Sequence, residues 1–225
     1  MAAGALLFDF GGTLDADGIP WGRRFHSAYR AAGGGLSFTE FEPIFRASDR
    51  ALEAEPDIGG LGLREMIARQ ATFLCALLPD GGRVDADRIA RDFHASSTAT
   101  VDRNREVVTR LAQRYRLGIV SNFTGNLEPC LEELGLRSLF GAVSDSSVVG
   151  VAKPAPRIFE VTLEALGVEP QMAWMVGDNF EADVRAAARL GLRTCWLAPA
   201  ERPLPAEGVA TARTASFTNL ESIFG

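Results

Sequence analysis

The sequence predicts an α/β protein, a doubly wound parallel sheet with an inserted α-helical domain. Short apolar runs alternate with helical patterns from about residue 101 to residue 197. Such alternation predicts parallel strands joined by right-handed crossover helices. Another apolar run, residues 5–9, stands apart at the start, and residues 16–100 contain helical patterns without a convincing strand. We therefore expect a core domain of residues 1–15 and 101–225, interrupted by a helical domain of residues 16–100.

The inserted region is expected to consist of helices only. A capping-box signature, Ser37 with Glu40, opens one of them, and the turn signal Pro79-Asp80-Gly81-Gly82 ends another. Its helical patterns lie at residues 21–32, from residue 37 onward, at 63–78 and at 85–97.

In the core region, helices and strands are expected to alternate. The strand patterns are residues 5–9, 117–120, 142–143, 173–176 and 194–197. The helical patterns are residues 107–114, 127–134, 158–166 and 182–190. Residues 198–216, rich in Ala, Pro and Glu, are expected to form a loop before a short final helix.

Composition narrows the classes of partner. The 225 residues are 47% hydrophobic and 23% charged, as in ordinary globular proteins. The net charge of −6 argues against a nucleic-acid or membrane-surface partner. Three widely spaced cysteines indicate neither a disulfide framework nor a zinc site. Without a signal-peptide pattern or an apolar stretch of membrane-spanning length, a cytoplasmic protein is expected; its oligomeric state is not indicated.

The most informative segment follows the first strand. The apolar run of residues 6–8 ends on Asp9, and Gly11, Gly12 and Thr13 come directly after it. In open α/β sheets, reactive groups lie just beyond the carboxyl ends of the strands, and glycines let the backbone wrap closely around a bound group. The segment is typical of a carboxylate nucleophile or metal ligand in a phosphate-handling site, although an ordinary turn after a buried strand has the same pattern.

Polar residues also follow later strands. Ser121 and Asn122 end the second strand of the core, and Asp178 and Asp183 span the turn after the fourth. Taken alone, Ser121 and Asn122 are as consistent with a helix cap as with a functional site. Asp178 and Asp183 are as consistent with the capped start of a solvated helix. Lys153, the only lysine among 23 basic residues, precedes the helical pattern between these strands.

These side chains are expected to converge with Asp9, because the carboxyl ends of parallel strands meet at one edge of a sheet. Carboxylates are hard oxygen ligands of the kind that magnesium accepts while it keeps several waters. The Lys153 ammonium and the Ser121 hydroxyl suit phosphate oxygens. The residues together predict a phosphate site that contains magnesium.

In this order, the segments resemble the four motifs of the haloacid dehalogenase-like (HAD) hydrolase superfamily. The matching segments are DFGGTL at residues 9–14, Ser121-Asn122, Lys153 in GVAKP, and GDNFEAD at residues 177–183. The resemblance covers nearly all of the core and implies a Rossmann-like sheet with a helical cap after the first motif. It also implies magnesium-dependent hydrolysis of a small phosphorylated metabolite through an aspartyl-phosphate on Asp9.

The resemblance also implies a role for each site residue. The expected catalytic residues are Asp9, Ser121 and Lys153. The expected phosphate-binding residues are Gly12, Thr13 and Asn122. The expected magnesium ligands are Asp9, the main-chain carbonyl of Gly11, Asp178 and Asp183.

Gly11 departs from the family pattern, which usually has a second aspartate there as general acid and base. Glycine keeps the carbonyl for the metal but lacks the proton-transfer group, which is typically worth roughly 10²–10⁴-fold in rate. The sequence therefore predicts an enzyme that is slow, that depends on a good leaving group, or that recruits another acid. Asp15 and Asp17 lie nearby, although solvated loop positions are the more expected role for both.

Other functions stay open. A 2-haloacid dehalogenase would use the same aspartate on carbon without magnesium, but the acidic fourth motif counts against it. A response-regulator receiver is about half as long and lacks a large insertion. A catalytically weak HAD relative with a binding or regulatory role stays open because of Gly11.

The residues at the start of the first inserted helix allow two interpretations. Trp21, Arg23, Arg24 and His26 either face the active site, where the arginines would favour an anionic substrate, or belong to an amphipathic helix with a charged outer face. The second interpretation is preferred for His26, and His94 is expected to be structural or exposed.

Overall fold

Six parallel strands form the single sheet of this computed structural model, which describes residues 4–79 and 83–225. The strand order is β3-β2-β1-β4-β5-β6. The strands are β1 (Ala5–Phe8), β2 (Arg116–Ser121), β3 (Ala142–Asp145), β4 (Ala173–Gly177), β5 (Arg193–Leu197) and β6 (Ala212–Thr214). The parallel α/β sheet predicted from the sequence is confirmed.

Nine α-helices are present in the described part of the chain. They are α1 (Trp21–Ala31), α2 (Phe38–Glu53), α3 (Leu63–Leu77), α4 (Ala86–Ala112), α5 (Leu127–Glu133), α6 (Ser146–Val149), α7 (Pro156–Leu166), α8 (Ala186–Arg189) and α9 (Leu220–Phe224). The predicted capping box opens α2, with Ser37 and Glu40 bonded reciprocally. Most of the turn predicted after α3, residues 80–82, lies outside the described residues. Within those residues, no helix is both long and apolar enough to cross a membrane.

Helices cover both faces of the sheet. Because side chains alternate along a strand, Leu6 and Phe8 of β1 enter a core shared with α4, α5 and α9. Ala5 and Leu7 enter a second core on the opposite face, shared with α7 and α8. The sheet is therefore doubly wound, as expected.

Two elements differ from the sequence prediction. Residues 86–112 form one continuous helix rather than two, because the polar stretch between the predicted helices has no Gly or Pro and keeps Val101 and Asn104 buried. The predicted loop of residues 198–216 contains β6, which pairs with β5 from Cys195–Ala212 to Leu197–Thr214. A strand of three residues is too short to give a clear alternation of apolar and polar side chains.

The inserted helices pack against one another and onto the end of the sheet that carries Asp9. Aromatic rings connect them, with Phe25 of α1 stacked on Phe93 of α4 at 4.2 Å between ring centroids. Trp21 of α1 contacts Phe10 and Phe123, which belong to the segments that follow β1 and β2. The inserted helices therefore form one wall over the carboxyl ends of the central strands.

Candidate active site

The central strand β1 places Asp9 between its two neighbours. Phe8, the last residue of β1, is in register with Ile119 of β2 and Val176 of β4. The Asp9 amide then donates a hydrogen bond to the Val176 carbonyl at 2.9 Å. The strand order reverses at β1, and open α/β sheets bind ligands at such a reversal.

The two oxygens of the Asp9 carboxylate have different surroundings. Oδ1 accepts hydrogen bonds from Ser121 Oγ at 2.9 Å and from Lys153 Nζ at 2.7 Å. Oδ2 accepts no hydrogen bond from the residues that the structure describes. Asp9 is only 6% exposed, so the unbonded oxygen lies in a largely dehydrated place. The hydrogen bonds to Oδ1 fix the orientation of the carboxylate, and the unbonded Oδ2 is therefore suited to nucleophilic attack or metal binding.

Lys153 connects two of the aspartates. Its ammonium also donates to Asp183 Oδ1 at 2.6 Å, and its side chain is almost fully buried. Burial alone would lower the pKa of Lys153, but the charges of Asp183 and Asp9 outweigh it and raise that pKa above its usual range. Lys153 is therefore a fixed positive charge at the site.

Asn122 holds the backbone of Lys153. Its side-chain amide donates to the Lys153 carbonyl at 3.0 Å, and its side-chain oxygen accepts from the Lys153 amide at 2.7 Å. Because both ends of this side chain are bonded to Lys153, it positions the lysine. The phosphate-binding role expected for Asn122 stays a prediction.

Three buried aspartates lie together at this edge. Asp9, Asp178 and Asp183 each offer one carboxylate oxygen, and the three oxygens lie within 4.8 Å of one another. Burial, followed by the charges of Asp9 and Asp183, raises the pKa of Asp178 well above its ordinary value. Thr13 Oγ1 donates weakly to Asp178 at 3.3 Å. Three carboxylates thus share the single ammonium of Lys153, and a cluster of oxygen donors with excess negative charge fits Mg²⁺.

The turn after Asp9 is shaped by its glycines. Gly12 has φ of +94°, and a Cβ there would lie 2.8 Å from both carboxylate oxygens of Asp178, so only glycine allows this close approach. The Gly12 amide donates to Asp15 Oδ1 at 2.8 Å and is already engaged within the protein. Gly11 has an ordinary φ of −74°.

The expectation that Asp15 is a solvated loop residue is wrong. Asp15 is 0% exposed, and its Oδ2 accepts hydrogen bonds from Trp21 Nε1 at 2.8 Å, from Ser97 Oγ at 3.1 Å and from Arg24. Helices of the insertion supply all three donors, which the local sequence around Asp15 does not reveal. Asp17 is half-buried and bonds to the Arg103 guanidinium and the Phe217 amide.

Of the four candidates at the start of α1, namely Trp21, Arg23, Arg24 and His26, only Trp21 lines the cavity. The Arg23 guanidinium lies 3.7 Å from the centroid of the Phe38 ring, and Arg24 is paired with Asp15. A ring nitrogen of His26 lies 3.0 Å from the Leu36 carbonyl oxygen, in a structural contact. The arginines therefore do not provide the anion-binding surface that was one of the two interpretations.

His94 also has a structural contact, as expected. It is 8% exposed, and its Nε2 lies 2.9 Å from Glu133 Oε1. This contact connects α4 of the insertion with α5 of the core.

A cavity of about 340 Å³ extends from the aspartates to the inserted helices. Its apolar lining includes Trp21, Phe45, Leu52 and Met66. A second group of polar residues lines the cavity away from the three-aspartate cluster and includes Asp49, Glu53, Gln70 and Arg202. Sequence reasoning missed this second polar group. One signal was available, since Asp49 lies four residues after Phe45 and three before Leu52, inside the apolar stripe of α2.

Comparisons with known proteins identify the family of the chain. The family model for haloacid dehalogenase-like hydrolases matches residues 4–191. Haloacid dehalogenase-like hydrolase domain-containing protein 3 of Mus musculus is 32% identical over 207 residues, covering 87% of this chain and 82% of its own length. Phosphoserine phosphatase of Thermus thermophilus is 34% identical over 140 residues, 60% of this chain and 56% of its own.

A solved structure supports the same fold. The HAD-hydrolase YfnB of Bacillus subtilis aligns over 100% of both chains with a TM-score of 0.61 at 20% sequence identity. The family model and the mouse relative cover most of the sequence. The chain therefore belongs to the haloacid dehalogenase-like hydrolase family.

Proposed function

We propose that this protein is a magnesium-dependent phosphomonoester hydrolase that acts on a small phosphorylated molecule with Asp9 as the nucleophile. The observation that carries the proposal is the Asp9 carboxylate itself. Ser121 and Lys153 hold one of its oxygens, while the other is unbonded within the described residues and belongs to a cavity lined by two more buried aspartates. The partial match to a phosphoserine phosphatase supports this reaction class.

The reaction divides into two displacements at phosphorus. Asp9 forms a bond from its carboxylate oxygen to phosphorus as the bond from phosphorus to the leaving alkoxide breaks, and that alkoxide takes a proton from water. Water then attacks phosphorus and loses a proton to solvent, the bond to Asp9 breaks, and inorganic phosphate leaves as the carboxylate is restored. Lys153 and Ser121 hold Asp9 in place, and the third N–H of the Lys153 ammonium is a donor for the phosphoryl oxygens as charge develops there.

The acidic cluster fits a divalent cation. Asp9, Asp178, Asp183 and the Gly11 carbonyl would hold Mg²⁺, and Asp183 would also position Lys153. When bound, the ion offsets the repulsion between these carboxylates and a phosphate dianion. We also propose that residues 16–100 act as a cap, because α2 and α3 supply the cavity wall that a leaving group would contact.

The same geometry disfavours the dehalogenase alternative. Displacement of halide from carbon by Asp9 gains nothing from two additional buried carboxylates, whose charges repel the departing halide ion and the carboxylate of a 2-haloacid. Attack on phosphate in the presence of a cation does use them. The three-aspartate cluster therefore favours phosphoryl transfer.

The test is hydrolysis of p-nitrophenyl phosphate with magnesium and with excess chelator. We expect turnover only with magnesium, and none by an Asp9→Asn variant, because an amide is not a competent nucleophile. The matched control is Asp57→Asn, because Asp57 is an exposed aspartate near α3, and this variant should keep full activity. Undiminished activity in chelator would overturn the metal requirement, and chloride release from 2-chloropropionate without phosphatase activity would favour the dehalogenase.

A further inference from the structure

The inserted helices supply an acidic, acceptor-rich wall to the active-site cavity. This cap wall consists of Asp49 and Glu53 on α2 and Gln70 on α3. It belongs to the same cavity as Asp9, so a phosphate ester bound at Asp9 directs its alcohol portion toward these helices. The cavity volume of about 340 Å³ suits a phosphoryl group together with a small alcohol.

The hydrogen bonds of the cap wall leave acceptors free. Gln70, which is only 1% exposed, donates its side-chain amide to Asp49 Oδ1. This bond orients the Gln70 amide, and neither its carbonyl oxygen nor Asp49 Oδ2 accepts a hydrogen bond from a residue that the structure describes. These two acceptors line the cavity and have no donor among the described residues, so they are available to a ligand that brings donors.

The charged residues around the cap wall do not neutralise its negative charge. Arg46 and Arg50 are neighbours of Asp49 on α2, but both are exposed and neither lines the cavity. Arg202 does line it, yet it comes from the loop after β5, where it donates to the Asp178 carbonyl at 3.4 Å. The cap wall therefore has negative charge without a cation of its own.

We propose that the substrate's alcohol portion carries a protonated amine, which Asp49 and Gln70 bind, so that the substrates are phosphate esters of small amino alcohols. The proposal deepens the phosphatase function above and rests on it. An ammonium group brings three donors and the opposite charge, whereas a hydroxyl brings one donor and a carboxylate is repelled. Phe45, Leu52 and Met66 provide an apolar surface for the connecting methylene groups.

The buried charge of Asp49 supports this choice of ligand. Burial, and then the neighbouring charge of Glu53, raises the pKa of Asp49 to about 7. A carboxylate in such surroundings is destabilised until an opposite charge arrives, so binding of an ammonium group relieves that penalty. A neutral hydroxyl would not relieve that penalty.

The test compares three esters of matched size: phosphoethanolamine, 2-hydroxyethyl phosphate and phosphoglycolate. With magnesium present, we expect kcat/KM for the ammonium ester to exceed that for the hydroxyl ester by roughly tenfold or more, since hydrogen bonds to charged groups have that effect. Phosphoglycolate should be the poorest of the three. In Asp49→Asn, kcat/KM for phosphoethanolamine should fall by roughly tenfold, while that for the hydroxyl ester stays within about threefold.

The variants separate recognition from leaving-group chemistry. The amine also makes its alcohol a better leaving group, but that effect persists in Asp49→Asn, whereas recognition by Asp49 does not. Glu42→Gln, at an exposed position on the same helix, is the control and should change neither ester. An ammonium preference unchanged in Asp49→Asn would overturn the assignment. Equal rates for all three esters would also overturn it while the phosphatase function stood, and failure with every ester and with p-nitrophenyl phosphate would refute that function.

Discussion

The indole of Trp21 covers Gly11. A Cβ at position 11 would lie 3.1 Å from Trp21 Nε1, and that nitrogen donates to Asp15 at 2.8 Å. The space into which the family's second aspartate would extend is therefore bordered by a ring that Asp15 holds in place. Asp15 is itself buried and fully bonded, so it is not available as the replacement acid.

Without an acid at position 11, the leaving group must depart without a proton donor from this loop. We expect the rate to fall steeply as the pKa of the leaving alcohol rises, with aryl phosphates much faster than simple alkyl phosphates. The measurement is kcat/KM for a series of substituted phenyl and alkyl phosphates. A shallow dependence would mean that another residue donates the proton.

Gly11→Asp should restore part of the missing proton transfer. The φ of −74° at position 11 is accessible to any residue, and the Trp21 ring must shift by only a few tenths of an ångström. We expect turnover of alkyl phosphates to rise by roughly tenfold or more, since a positioned acid is typically worth 10²–10⁴-fold. Gly11→Asn is the control, because it has the same shape without the acid. Equal gains in both variants would attribute the effect to shape.

Lys153→Arg tests whether a compact ammonium is required. Nζ lies 2.7 Å from Asp9 and 2.6 Å from Asp183, in a place that is almost fully buried. A planar guanidinium is too large to keep both distances, so we expect activity to fall by roughly 10²-fold or more. Stability should fall by only about 1–3 kcal/mol from overpacking, as measured by urea denaturation. An arginine variant with parental activity would contradict this role.

Asp15→Asn should weaken the fold. Oδ2 of Asp15 accepts from Trp21, Ser97 and Arg24, and an amide NH₂ in its place would face these donors while Arg24 loses its counter-charge. Breaking a buried ion pair in this way typically costs about 3–5 kcal/mol. Urea denaturation measures the loss, and Glu42→Gln, which breaks an exposed pair with Arg46, should cost under about 1 kcal/mol. Similar losses in the two variants would show that Asp15 is not a structural anchor.

The core of the fold was predictable because its signals are local. The strands β1, β2 and β4 contain apolar runs that end close to polar residues, namely Asp9, Ser121 and Asp178. Parallel pairing then brings them to one edge, so the contacts of Asp9 with Ser121 and Lys153 were expected. The continuous α4 was missed because a polar stretch looks like a boundary when the burial of Val101 and Asn104 is unknown.

The cap side of the site was not predictable in the same way. Asp15 and Arg24 form their contact across nine residues of sequence, and Gln70 reaches Asp49 from another helix. Such pairings depend on how amphipathic helices pack against one another, and the periodicity of each helix leaves that arrangement open. The sequence therefore indicated the site's chemistry more completely than the surface that would select a substrate.

The raised pKa of Asp49 predicts that stability depends on pH through this residue. Burial is the main cause, and Glu53 adds to it, while the Gln70 hydrogen bond and the charges of Arg46 and Arg50 oppose it. The folded protein holds a proton on Asp49 up to about pH 7, whereas the unfolded chain releases it near the ordinary value of 3.8. Stability from this group is thus complete below that lower value and is lost as pH rises through about 7.

Asp49→Asn removes this titration and keeps the shape of the side chain. Because the unfolded chain already ionises near 3.8, the variant should gain stability relative to the parent as pH rises, and its advantage should grow by at least about 1 kcal/mol between about pH 5 and about pH 8. Urea denaturation of both proteins at the two pH values measures the difference, in which contributions from Asp9, Asp178 and Asp183 cancel. A difference that does not change with pH would mean that Asp49 is solvated in the folded protein and ionises at an ordinary pKa.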